Sequence, residues 1–313
     1  NSRLIEEMTS TTTLKPDGSY MFATEEGRTL TNTQGVRAGA RADWKISKST
    51  SLLFEPNFNL GWGHVDDYGI FSTDRTSTDG VRSKVNDGFS SNLSDSRNQN
   101  ASARLLWRQR LGKPGRTLSV NVRYQFSNTD MTGYNYSESN TFTDNILSGT
   151  DLTDQYYERN SRSNTISGRL SYMEPLGGNF YVEGNYSVNY KNSPSYKDAY
   201  NKDNLGKYTL RDITYSSQIE NRYLRQSAGF NFRKQEEKYN ITIGATFQPS
   251  RTGNYTNSAG STRDTVINVF NWAPNARVDF NFSDYRMLRI NYRGNSTQPS
   301  INQLMPVPDN TNP

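Results

Sequence analysis

The sequence predicts an all-β protein, an antiparallel up-and-down transmembrane β-barrel. Three observations carry this: apolar and polar residues alternate with period two, the alternation runs far enough to cross a bilayer, and the connections are alternately short and long. Residues 35–62 show the first two. Val36, Ala38, Ala40, Ala42, Trp44 and Ile46 alternate with Arg37, Gly39, Arg41, Asp43 and Lys45, the side-chain repeat of a strand, which on a helix would scatter around the whole circumference. Leu52, Phe54, Pro56, Phe58, Leu60 and Trp62 then alternate with Leu53, Glu55, Asn57, Asn59 and Gly61. Strands of soluble domains average about five to six residues, whereas a tilted membrane-spanning strand needs roughly nine to eleven. For the two apolar faces to coincide, Trp44 must lie opposite Leu52 and Arg41 beside Glu55, across an odd-length loop at Ser47 to Ser49.

Composition agrees. Only 32% of the 313 residues are hydrophobic, little for the core of a soluble protein of this size, but a barrel whose outer face is covered by lipid and whose inside is wet needs no such core. No stretch approaches eighteen consecutive apolar residues, so no transmembrane helix is expected, and Asn1 to Thr13 has neither the basic start nor the apolar centre of a signal peptide. Cysteine is absent and His64 is the one histidine, which excludes disulfides, thiolate metal sites and a histidine metal cluster. The net charge of +5 is spread along the chain without a basic cluster, so nucleic acid is not an expected partner.

Residues 1–34 are polar and Thr-rich, with a turn signal at LKPDGS, and read as a loop leading into the barrel. Residues 35–294 hold five hairpins, about ten strands, with short turns expected at 47–49, 112–116, 175–179, 234–238 and 283–286. The long stretches between hairpins, such as 63–97 and 127–162, lose the alternation and read as surface loops. Short turns on one side and long loops on the other are the asymmetry of outer-membrane barrels. A propeller lacks that asymmetry. Residues 295–313 read as a Pro- and Asn-rich loop at a truncated end. The outward set includes Trp44, Phe54, Leu105, Val122, Leu170, Val182, Phe230, Ile243, Val278 and Ile290, with Gln226 as an interruption of the apolar face.

No nucleophile elbow, paired-carboxylate site or phosphate-cradling glycine loop is present, so no enzyme and no cofactor are expected. Asp66, Asp67, Asp74 and Asp79 offer oxygen ligands for calcium in principle and read more plainly as a solvated acidic loop. The lumen side is more informative. Arg37, Arg41, Glu55, Arg104, Arg108 and Arg123 face it, as do Arg169, Glu183, Arg277, Arg289 and Arg293. Basic residues dominate, which either favours anions in an open channel or serves cross-strand pairing and the holding of an internal plug. Tyr134, Tyr136, Tyr156, Tyr157, Tyr196 and Tyr200 are candidates for stacking on a ligand, for packing against each other or for resting at lipid headgroups.

Near the C-terminus, NYRGNSTQPSINQLMPVPDNTNP at 291–313 places QPS-x-x-QL-x-P and then D-N-x-NP after an arginine-containing strand. This resembles the outer-membrane β-barrel family of Bacteroidetes TonB-dependent receptors, and SLLFEPNFNL at 51–60 is similar to that family's second hairpin arm. The resemblance implies a barrel of about twenty-two strands, of which this chain would be a part. It also implies an upstream plug domain that contacts a TonB-type energising complex, and energised import of a small-molecule, peptide or glycan ligand. A passive porin-like channel and a soluble, secreted β-rich adhesin or binding module are the alternatives.

Overall fold

A computed structural model describes residues 1–283 and 285–294. They form strands throughout and contain no helix. The strands are β1 (Ser2–Leu14), β2 (Tyr20–Gly39), β3 (Ala42–Lys45), β4 (Thr50–Thr76), β5 (Arg82–Arg110), β6 (Thr117–Thr143), β7 (Ile146–Gly177), β8 (Phe180–Lys202), β9 (Tyr208–Gln235), β10 (Tyr239–Ser258), β11 (Ser261–Ser283) and β12 (Arg286–Arg293). Each pairs with its neighbours in one antiparallel sheet, and β3 continues the line of β2 along β4 after a break at Ala40 and Arg41.

The expected register of the first hairpin is present. Trp44 lies opposite Leu52, and from there one row of outward side chains runs Trp107, Val120, Leu170, Tyr186, Ala228, Phe247 and Trp272. Every member is apolar or aromatic, so the apolar faces of neighbouring strands form one continuous surface. Trp44, Leu105, Val122, Leu170, Phe230, Ile243 and Ile290 remain exposed on it, as a lipid-facing wall requires. Gln226 on this face accepts a hydrogen bond from the Tyr186 hydroxyl at 2.8 Å, which spares its carbonyl oxygen an unsatisfied place in hydrocarbon. The row also climbs. Trp107 stands close to the end of β5 at Arg110, whereas Trp272 stands far up β11 from Ser283, the stagger of tilted barrel strands.

Above the apolar band the structure departs from the sequence reading. Residues 1–34, expected as a loop, form β1 and most of β2, paired from Ser2 opposite Asn32 to Leu14 opposite Tyr20. The stretches 63–97 and 127–162 are also strand, so β4 to β7 reach well beyond the bilayer and meet in tight turns. All ten expected strands are present; β1 is additional, and the break at Ala40 and Arg41 divides the first expected strand between β2 and β3, which brings the sheet to twelve. The alternation vanishes beyond the bilayer because water bathes both faces and nothing selects apolar residues for either. Backbone pairing persists, helped by Thr, Tyr and other β-formers. One upper turn is the two-residue loop Asp144 and Asn145, with φ of 50° and 64°, the left-handed pair that matches strand twist.

Of the short turns, those after Lys45, Arg110, Gly177 and Gln235 fall where expected. The turn at 283–286 includes Asp284, and it and the loop at 295–313 lie wholly or partly outside the described residues. Among the described residues β12 does not pair back onto β2 or β3, so the sheet is open, with β1 and β12 at its edges.

Candidate functional site

The face opposite the lipid-facing wall is polar and crowded. Ser227, Thr252, Asn254 and Asp279 are buried on it, as expected where side chains converge on the concave side of a curved sheet. Leu53 and Leu106, which face each other directly on this side, are 2% and 7% exposed. They form a small apolar floor within a polar wall, a feature that the alternation alone does not reveal.

On that wall the structure sorts the candidate residues. Glu55 sits between two arginines, 2.7 Å from Arg41 and 3.3 Å from Arg104. Arg104 also donates to Asn121 at 3.3 Å. Arg169 and Glu183 approach at 3.7 Å. Asp279, only 8% exposed, holds Arg277 at 2.7 Å and Arg289 at 2.6 Å. Asp279 therefore organises the far end of the wall, holding one arginine on its own strand and one on the next. Arg37, Arg108, Arg123 and Arg293 are on the same face without an ion pair among the described residues. The predicted wall thus divides into paired groups, which stiffen it, and unpaired cations.

Two shallow depressions run along it. One, of about 580 Å³, is lined by Arg41, Glu55, Arg104 and Arg123 with Asn57, Ser102 and Gln125. The other, of about 450 Å³, shares Asn57, Ser102 and Gln125 and adds Arg37 and Lys191. Lys191 escaped the sequence reading because it lies just past the last alternating residue, Tyr190.

Outside the membrane the tyrosines divide by face. Tyr134, Tyr156, Tyr200 and Tyr208 cluster on the outer surface, with ring centroids 5.2 Å apart for Tyr134 and Tyr156 and 5.5 Å for Tyr134 and Tyr208, while Tyr136 stacks on Phe89 at 5.5 Å. Tyr157 points the other way, over Gly133, where an added Cβ would come within 2.7 Å of the ring hydroxyl. The ring covers the strand exposed by glycine, and its hydroxyl donates to Asn92 at 3.1 Å. Mutual packing thus accounts for Tyr134, Tyr136, Tyr156 and Tyr200. The aspartates at 66, 67, 74 and 79 do not converge. Asp67 accepts from Thr29 at 2.5 Å and Asp74 pairs with Arg82 at 2.6 Å, and among the described residues no group of three or more His, Asp or Glu could hold a metal.

Within the cluster, desolvation pushes the Tyr156 phenol up to about 12, helped by its hydrogen bond to Glu158 at 2.9 Å, the Glu158 charge and the neighbouring rings Tyr134 and Tyr200. Burial works to raise Asp154, but hydrogen bonds from Lys202 and Tyr208 and the Lys202 charge outweigh it and hold the carboxyl below its ordinary value. For a phenol raised in the folded state, the stabilising contribution is complete below its ordinary value of 10.0 and is lost as pH rises toward 12. Ultraviolet titration of tyrosinate is therefore expected to show a late component near that upper value, which Glu158→Gln moves down. An unchanged profile in that variant would remove Glu158 from the account.

Residues 65–313 match the family model described as outer membrane protein beta-barrel family. No curated protein matches the sequence. Among solved structures, the siderophore receptor PiuA from Acinetobacter baumannii aligns with TM-score 0.40 and 8% identity over 90% of this chain and 47% of that one. The translocator domain of autotransporter NalP from Neisseria meningitidis aligns at 0.30 and 14% identity, covering 94% and 82%. The outer membrane protease OmpT from Escherichia coli aligns at 0.28 and 12%, covering 88% and 99%. The chain thus spans about half the length of the siderophore receptor, and likeness at this level assigns no activity.

Proposed function

Because the chain belongs to the outer membrane protein beta-barrel family, and so resides in the bacterial outer membrane, we propose that it is the barrel wall of an energised receptor that imports a ligand, a transporter and not an enzyme. The observation that carries this is the open twelve-stranded sheet. Unpaired backbone groups facing hydrocarbon cost several kcal/mol each, and in the proposed receptor the lower parts of β2 and β3 on one side and β12 on the other are edges that pair within a wider barrel. A barrel so enlarged is wide. At about sixteen to eighteen strands such barrels hold an aqueous channel, and at about twenty-two their lumen carries a plug.

The wall's chemistry supports the larger class. It presents paired and unpaired cations across β2 to β12, a surface suited to contact with something that fills the lumen. The partners of this reading are outer-membrane lipid outside, a plug inside and, through the plug, a TonB-type energising complex. Planar-bilayer recording separates it from a passive porin. The full-length protein is expected to insert without a steady ionic conductance, and a stable ohmic conductance would overturn the energised reading in favour of an open channel.

A further inference from the structure

We propose that the lumen wall between β2 and β8 binds a multivalent oxyanion, a solute carrying phosphate or several carboxylates. The inference rests on the barrel-wall reading above and adds the class of ligand. Its basis is an uncompensated charge arrangement. Along one cross-strand row Glu55 faces Arg104, and Arg104 in turn faces Arg123. With Arg41 also on Glu55, one carboxylate serves two arginines and a third stands against like charge. Like charges directly opposite in an antiparallel pair are destabilising, and a bound anion relieves them.

The surroundings fit such an anion. Arg123 shares the larger depression with Arg41 and Arg104, while Arg37 and Lys191 stand at the ends of the adjoining one. Neither Arg37, Arg123 nor Lys191 has an acidic partner among the described residues. Between them Asn57, Ser102 and Gln125 border both hollows and supply neutral hydrogen-bonding groups. Guanidinium forks bind carboxylate and phosphate bidentately, and cations separated by uncharged donors suit a ligand with more than one acidic group. Glu55, the one acid among the residues lining the two hollows, sets the limit on affinity, because it competes for Arg41 and Arg104.

The test is calorimetric titration of inorganic pyrophosphate into the full-length protein in detergent micelles. Saturable binding that weakens with salt is expected, reduced on the order of tenfold by Arg123→Gln and similarly by Arg37→Gln. Arg123→Lys should retain part of it, while Arg97→Gln, on the lipid-side face of β5, should leave it unchanged. Glu55→Gln should tighten binding, a result that a purely structural role for these residues would not produce. No binding by the wild type, or equal affinity in Arg123→Gln, Arg37→Gln and Arg97→Gln, overturns the proposal. The outcomes separate from those of the conductance experiment, since a conducting protein that binds pyrophosphate would refute energised import and keep the anion site.

Discussion

Arginine at Val122 is expected to lower refolding stability in lipid vesicles by about 2 to 4 kcal/mol, the cost of a cation on the lipid face near the bilayer midplane. Val122 stands on β6 between Leu105 and Gly168 in the outward set and is 37% exposed there. Its sequence neighbour Asn121 points to the opposite face, beneath Arg104, so Asn121→Arg should cost far less. Urea-dependent refolding of the two variants side by side reads the difference. A near-zero effect at Val122 with a large one at Asn121 would mean that the two faces are reversed.

Shortening Leu53 to alanine is the second large effect, about 2 kcal/mol or more, because a buried leucine loses both its transfer free energy and its packing partners. Its position on the polar wall makes the result informative. Leu53 stands opposite Leu106 and Asp43 across the strands, and two buried leucines directly opposite each other should couple, so that Leu53→Ala combined with Leu106→Ala costs less than the sum. Strict additivity in the same refolding assay would show that the two side chains do not share one apolar floor.

The two predictions draw on different kinds of information. That Val122 faces lipid follows from local alternation, since every second residue of 118–126 is apolar or aromatic. The same local rule placed Arg41 beside Glu55, an ion pair at 2.7 Å. That Leu53 is buried does not follow from it, because on alternation Leu53 belongs to the wet face. Its burial depends on Leu106, which is brought opposite only by the turn and register joining β4 to β5.

The upper half of the sheet was illegible for a related reason. Where lipid covers one face, composition must alternate, and the strand announces itself. Beyond the bilayer both faces are wet, so the only constraint is backbone pairing, which leaves a polar, Ser-, Thr- and Tyr-rich stretch indistinguishable from a loop. The β1–β2 hairpin and the extensions of β4 to β7 were lost on that account, although left-handed residues such as Asp144 and Asn145 mark one turn after the fact.

By itself, then, the sequence determined the fold class, the faces of the membrane-spanning segments and the register of the first hairpin, because each depends on a period of two that is written along the chain and enforced by lipid. Beyond the Arg41–Glu55 pair, only the tertiary structure decided which charges meet. Glu55 gains Arg104 besides Arg41, Asp279 holds Arg289 across the strands as well as Arg277 on its own strand, and Arg123 is left against Arg104, because each cross-strand encounter depends on the register between neighbouring strands.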